Sequence, residues 1–241
     1  MKYSGLLAKA VQRFGSPSVE GNAERILDAA LRQFELFGIR RSTVEDITRR
    51  SGLARVTLYR NFANKDAIVE AVLLRELERF LSDLAAEAGG YDEAEDKLVE
   101  GGFVFTLNTL RGHALLQRLL ATEAETVLPF LTVEGDGVVR TASSFLAHQL
   151  AVALPDDHRT QLELLEVAEV TVRVIVSFVL TPVAERRAGR RRRLAVVRAA
   201  VSGAAAVGGV GGLGLREPFA ACDGSLISRL HQLSSSRTDS P

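Results

Sequence analysis

Hydrogen-bond donors cluster between Thr43 and Lys65, in the segment TVEDITRRSGLARVTLYRNFANK, at a spacing that suits a surface for a polyanion. Leu53, Leu58 and Phe62 supply the apolar positions of a small core, which leaves Arg55, Thr57, Tyr59, Arg60 and Asn61 to project outward. Each can donate to phosphate oxygens or base edges, and the guanidinium fork of Arg55 matches O6 and N7 of guanine. A solvated helical hairpin with incidental arginines is the alternative that these residues alone leave open. No comparable constellation exists for catalysis. His113, His148, His158 and His231 lie far apart, no G-x-S-x-G or H-E-x-x-H motif occurs, and Ser143-Ser144 has no identifiable base beside it. Gly209 to Gly214 formally fits a dinucleotide fingerprint, but without a preceding strand it reads as flexible low complexity. The single cysteine, Cys222, cannot form an internal disulfide and accompanies no zinc-type cluster. The expectation is a binding protein without cofactor or metal, not an enzyme.

Charge segregates in the same sense. The formal net charge is zero, yet residues 1 to 65 hold 12 Lys/Arg against 6 Asp/Glu, residues 66 to 180 hold 8 against 20, and residues 181 to 241 hold 10 against 4. A basic amino-terminal segment beside an acidic middle is the footprint of a polyanion binder whose remainder repels nucleic acid. With 241 residues, 46% of them apolar and 25% charged, the chain can bury a core in one or two domains and is not globally disordered. Its first residues, MKYSGLLAKAVQRF, lack the apolar run of a secretory leader, so the cytoplasm is the expected location.

The elements that must position these donors read as helices, since helical spacing with capping signals recurs and strand-like alternation is scarce. The first helix is predicted from Asn22 as N-cap, with Ile26, Leu27, Ala30, Leu31, Phe34 and Phe37 on one face and Gly38 as its stop. Ser42-Thr43-Val44-Glu45 fits a capping box that opens a short helix over 44 to 50. Ser51-Gly52-Leu53 makes the tight turn, and a third short helix over 54 to 61 completes a helix-turn-helix able to enter a major groove about 12 Å wide. Asn64-Lys65-Asp66 caps a long helix to Ala88, stopped by Gly89-Gly90. Three helices are expected over 92 to 110, 113 to 121 and 124 to 152, with Gly101-Gly102 and Gly135-Asp136-Gly137 as candidate breaks. Pro155-Asp156-Asp157 is expected to open a helix to Leu180, in which Glu163, Glu166, Glu169 and Arg173 interrupt the apolar run too often for a membrane span. A further helix is expected over 189 to 207, after the Arg186-Arg187 and Arg190 to Arg193 runs.

The segment from Ala23 to Ala67 resembles the DNA-binding part of TetR-type (tetracycline-repressor-like) transcriptional regulators. The likeness rests on Phe37-Gly38, Thr43-Val44 with Asp46-Ile47, Ser51-Gly52, Thr57-Leu58-Tyr59 with Phe62, and Lys65-Asp66. It implies that Thr43 caps the second helix and holds a phosphate, that Tyr59 and Lys65 contact the backbone, and that Arg55, Val56, Thr57 and Asn61 face the bases. Val56 suits a thymine methyl, and Arg60 suits a phosphate. The partners it implies are a palindromic duplex operator, a second copy of the chain, and an apolar small-molecule effector held among the middle helices. Phe103, Phe105, Phe130 and Phe145 are the candidate pocket residues, with His113 or His148 as a polar anchor.

The expected organisation is therefore all-α: a flexible arm over 1–21, a helix-turn-helix domain over 22–66, a helical ligand-binding and dimerisation domain over 67–207, and a Gly-rich disordered tail over 208–241. Lys2, Lys9 and Arg13 in the arm could supplement phosphate contacts. The Arg-rich and then Gly/Ala-rich character after residue 185 departs from the family pattern at the place where its last dimer helix would lie. Two other functions compete: a TetR-like DNA binder that answers to a protein partner or to nothing, and, more remotely, a membrane-associated helical protein using Arg190 to Arg193 and the stretch from Leu194 to Leu215.

Overall fold

The computed structural model describes residues 5–15, 21–88, 95–153 and 160–181, and among them every regular element is an α-helix. In chain order they are α1 (Leu6–Gln12), α2 (Asn22–Phe37), α3 (Val44–Ser51), α4 (Arg55–Asn61), α5 (Lys65–Ala88), α6 (Glu95–Gly112), α7 (Ala114–Thr122), α8 (Ala124–Leu131), α9 (Asp136–Ala153) and α10 (Gln161–Leu180). The chain divides into two compact units, Met1–Asp83 with Leu107–Val138, and Leu84–Thr106 with Val139–Pro241. The division differs from the boundary expected at residue 66, which falls just inside α5.

The reason lies in α2. Its stripe of Ile26, Leu27, Ala30 and Phe34 is wider than two short helices can cover, so besides α3 and α4 it packs against α7. Leu115 and Leu119 of α7 thus join Ile47 of α3, Leu58 of α4 and Ile68, Val69 and Val72 of α5 in one buried cluster. The helix-turn-helix therefore shares its buried core with α7. α2 begins at Asn22 with Gly21 as its cap, one residue earlier than expected, and ends at Gly38, whose φ of +82° and ψ of 167° favour glycine.

The amino-terminal arm departs from the sequence expectation. Residues 6 to 12 form α1, with Leu6, Ala10 and Val11 buried, where a flexible segment was expected. Apolar residues at positions 6, 10 and 11 share a helical face, and burying them offsets the cost of ordering a short helix. Lys9 pairs with Glu70, and Arg13 Nε lies 2.9 Å from Glu78 Oε1, so these cations are engaged with acids of α5. Burial pushes the Glu78 carboxyl above its usual value, against the opposing pull of Arg13.

The middle of the chain differs in its breaks. Gly101 and Gly102 lie within α6, whereas the helix expected over 124 to 152 is split into α8 and α9 by the turn at 132–135. Pro129 lies inside α8, and where that helix ends its carbonyl oxygen accepts from Thr132 N–H at 3.3 Å and from Glu134 N–H at 2.8 Å. In the second unit, Phe145, Ala147 and Leu150 of α9 and Leu164, Val167, Ala168, Val172, Ile175 and Val179 of α10 are buried. Phe103 of α6 meets Phe178 of α10 edge to face, with ring centroids 6.1 Å apart. α10 starts at Gln161, later than expected, because Thr160 and Glu163 form a reciprocal capping box there. The predicted stop at Gly89-Gly90, the helix over 189 to 207 and the tail over 208 to 241 lie outside the described residues.

Replacing Leu119 by Ala should destabilise the first unit by about 2–5 kcal/mol, read by urea unfolding. Amide hydrogens of α2 should lose exchange protection with it. Unchanged protection over Ile26 to Phe34 would show that the helix-turn-helix stands without α7.

Candidate nucleic-acid interface

Two short helices present the candidate surface. α3 is opened by a capping box one residue later than the sequence suggested: Thr43 Oγ1 accepts from Asp46 N–H at 3.1 Å, and Asp46 Oδ2 accepts from Thr43 N–H at 3.1 Å. The predicted pair of Ser42 with Glu45 is corrected, because Ser42 is buried and its hydroxyl donates to Gly38 O at 2.6 Å. That shift makes Thr43 the cap, as the family resemblance implied. The Thr43 side-chain and backbone hydrogen bonds, aided by Arg49, hold the Asp46 carboxyl below its usual pKa against the opposing desolvation. Such an acid in the first turn also complements the helix dipole.

The turn between α3 and α4 is fixed from outside. Gly52 takes φ +67°, Ser51 Oγ accepts from Leu53 N–H at 3.3 Å, and Arg25 Nη2 donates to Ser51 O at 3.1 Å. Arg50 Nε donates to Gln33 Oε1 at 3.0 Å, tying the end of α3 to α2. Leu58 is buried, so the opposite side of α4 must face solvent, and it does: Arg55, Val56, Tyr59, Arg60 and Asn61 are exposed and Thr57 is partly so. Val56 is 71% exposed, which no packing requirement explains. The Arg55 guanidinium lies 5.5 Å from the centre of the Tyr59 ring, a contact that orients both. Asn61 Nδ2 donates to Thr57 O at 2.8 Å, so one of its donors is engaged within α4. Lys65 Nζ lies 3.4 Å from Arg40 O.

The structure thus brings Arg55, Val56, Thr57, Tyr59, Arg60 and Asn61 onto α4, with Thr43 at the start of α3 and Lys65 at the start of α5. Sequence reasoning passed over Arg41, which is exposed two residues before the α3 cap. It also passed over the supports Arg25, Gln33 and Arg50. Adjacency to the capping threonine was the available signal for Arg41, whereas the supports depend on packing between helices.

Residues 26–72 match the family described as bacterial regulatory proteins, tetR family, and residues 96–200 match the bacterial tetracyclin repressor C-terminal domain, so together they span more than half of the chain. The chain belongs to the TetR family. A curated relative, the HTH-type transcriptional regulator YvkB of Bacillus subtilis (strain 168), is 40% identical over 50 residues, which are 21% of this chain and 26% of that protein's length. The fold is similar to that of the TetR family repressor AlkX from Dietzia sp. strain DQ12-45-1b, implicated in biodegradation of n-alkanes. The TM-score is 0.54 at 18% identity, over 78% of this chain and 98% of that one.

The candidate effector residues of this TetR-family chain fall in both units. Phe103, Phe105, Phe145 and His148 belong to the second unit, with Phe103 and Phe145 buried. His113 and Phe130 belong to the first. His113 caps α7, its Nδ1 accepting from Leu116 N–H at 3.2 Å, and its Nε2 lies 3.5 Å from Glu76 Oε2. Burial pushes the Glu76 carboxyl up, but the hydrogen bond from His113 together with Arg79 and Arg75 outweighs it and holds the pKa below its usual value. Among the described residues, no group of three His, Cys, Asp or Glu could hold a metal, and no helix is long and apolar enough to cross a membrane.

The Asp46 pair has a pH signature. Its folded-state pKa is depressed, so its stabilising contribution is complete above the unfolded value of about 4 and is lost as pH falls through the folded value. The melting temperature of wild type should therefore exceed that of Asp46→Asn at neutral pH, and the two should converge in acid. Parallel melting curves across that range would refute the capping box as a charged contact.

Proposed function

We propose that this TetR-family chain is a sequence-specific DNA-binding transcriptional regulator that acts as a homodimer on a palindromic operator, as a repressor released by an apolar small molecule. The observation that carries the first part is the solvent-facing side of α4, where donors and one apolar residue stand together beside a capped helix start. In this reading α4 lies in the major groove. Arg55 pairs with guanine and Val56 packs on a thymine methyl, with Thr57 and Asn61 as further base contacts. Thr43, Tyr59, Arg60 and Lys65 hold phosphates and so set the register without reading sequence.

Dimerisation follows from the operator geometry that the family uses, in which two half-sites lie about 34 Å apart and are read by two copies of one helix. Effector response rests on the aromatic content of the second unit, where Phe103 and Phe145 are buried and Phe103 meets Phe178, and on the buried hydroxyl of Ser143 in the same unit, which has no hydrogen-bond partner. A ligand that binds the state with misplaced readers tenfold better shifts the equilibrium by about 1.4 kcal/mol per site.

Selection from a random duplex pool should enrich a roughly palindromic sequence, with an affinity that falls steeply as salt rises. On that sequence Arg55→Ala should cost about 1–3 kcal/mol and relax preference at one base pair, whereas Tyr59→Ala should weaken all sequences alike. An unenriched pool would defeat the reading. Sedimentation equilibrium should show a dimer at micromolar concentration. Lipophilic compounds that raise the melting temperature should lower operator affinity, and Phe103→Ala should abolish that response while leaving operator binding in place. If none of a broad panel does either, regulation by a protein partner or by nothing replaces the effector.

A further inference from the structure

Within the first unit, the corner between α2 and α3 is gripped by an acid from the junction of α7 and α8. Glu123 sits between those helices and is only 4% exposed. Its Oε1 accepts the Arg40 N–H at 2.9 Å, while its Oε2 is buried without a partner. The carboxylate reaches so far into the corner that a Cβ on Gly38 would collide with Oε1, and the Thr122 hydroxyl lies 3.5 Å from the same point. Arg40 is held in two further ways: its guanidinium pairs with Glu125, and its carbonyl oxygen lies 3.4 Å from Lys65 Nζ. Two residues beyond, the buried Ser42 hydroxyl donates to Gly38 O, and Thr43 then caps α3.

Burying a carboxylate is costly unless hydrogen bonds compensate it, and here one oxygen has none. The acid is therefore poorly explained as a contribution to stability. A charge-assisted hydrogen bond to a main-chain N–H fixes backbone position more tightly than apolar contact does, since it is directional. The backbone it fixes is the one that leads directly into the α3 cap.

We propose that Glu123 is a positioning residue for DNA binding: its carboxylate holds the Gly38–Arg40 corner so that Thr43 and the helices after it meet the duplex in register. This rests on the DNA-binding reading above and adds to it the point at which the head is held.

The test compares Glu123→Ala with Glu123→Gln, whose amide oxygen still accepts from Arg40 N–H. Operator affinity should fall about tenfold or more in the alanine variant at a temperature well below its melting point, and the glutamine variant should retain most of it. The slope of log affinity against log salt should stay at the wild-type value, because no phosphate contact is lost. Exchange protection of the Arg40 amide should vanish in Glu123→Ala and persist in Glu123→Gln. A folded alanine variant with wild-type affinity, or with an Arg40 amide still protected, would overturn the proposal. If that variant does not fold, Glu123→Asp decides, since its shorter reach should give the same loss of affinity and protection, and wild-type behaviour in it would overturn the proposal equally. Should wild type itself select no DNA sequence, the DNA-binding reading fails, while the amide exchange still tells whether Glu123 holds the corner.

Discussion

A seven-residue helix does not persist alone in water, where about 12–15 residues are needed even for favourable sequences, and the surface of α4 depends on that limit being overcome by burial. Leu58 is the side chain that does it. With Leu58 inside, the remaining positions of α4 are free of packing duties and can carry arginine, tyrosine and an exposed valine. The same holds one step back, because the site that receives Leu58 is built by Ile26, Leu27, Ala30 and Phe34 of α2, whose outer flank is closed by Leu115 and Leu119. Display of polar chemistry on one side is thus secured by apolar closure through three helices.

Between these apolar layers, the backbone that changes direction is secured by polar contacts. Arg25 holds the carbonyl of Ser51 at one corner of the helix-turn-helix, and Glu123 holds the N–H of Arg40 at the other. Corners cannot satisfy their main-chain groups through helix ladders, so side chains from neighbouring elements must do so. Both corners are served by residues outside the helices they join, which makes the orientation of α3 and α4 a property of the whole unit.

The periodicity of α2 to α5 was legible because each has one apolar face and a recognisable start or stop. Gly38, Gly52 and Asn64 stand where the chain turns, and Asn64 Oδ1 accepts from Ala67 N–H as a helix cap should. The exposed set on α4 followed from subtraction of Leu58, and no long-range information was needed. What was not legible depends on pairs far apart in sequence. Nothing near Lys9 or Arg13 announces Glu70 and Glu78, so α1 read as an arm. Thr43 and Ser42 both fit a cap by type, and only the burial of Ser42 decides between them. Glu123 looked like one acid among many in an acidic region. The candidate pocket was chosen by residue type, and type says nothing of which unit a phenylalanine joins.

The cations of the first unit differ in what lies opposite them, and this divides them by range. Lys9, Arg13, Arg40 and Arg49 each face a carboxylate, at Glu70, Glu78, Glu125 and Asp46. Seen from beyond a Debye length, about 8 Å at physiological ionic strength, each such pair is a dipole whose field dies quickly. Arg25 and Arg50 are bound instead to a carbonyl and to an uncharged amide. These keep their monopoles. An approaching polyanion would therefore be steered by fewer cations of the first unit than the count of its basic residues suggests.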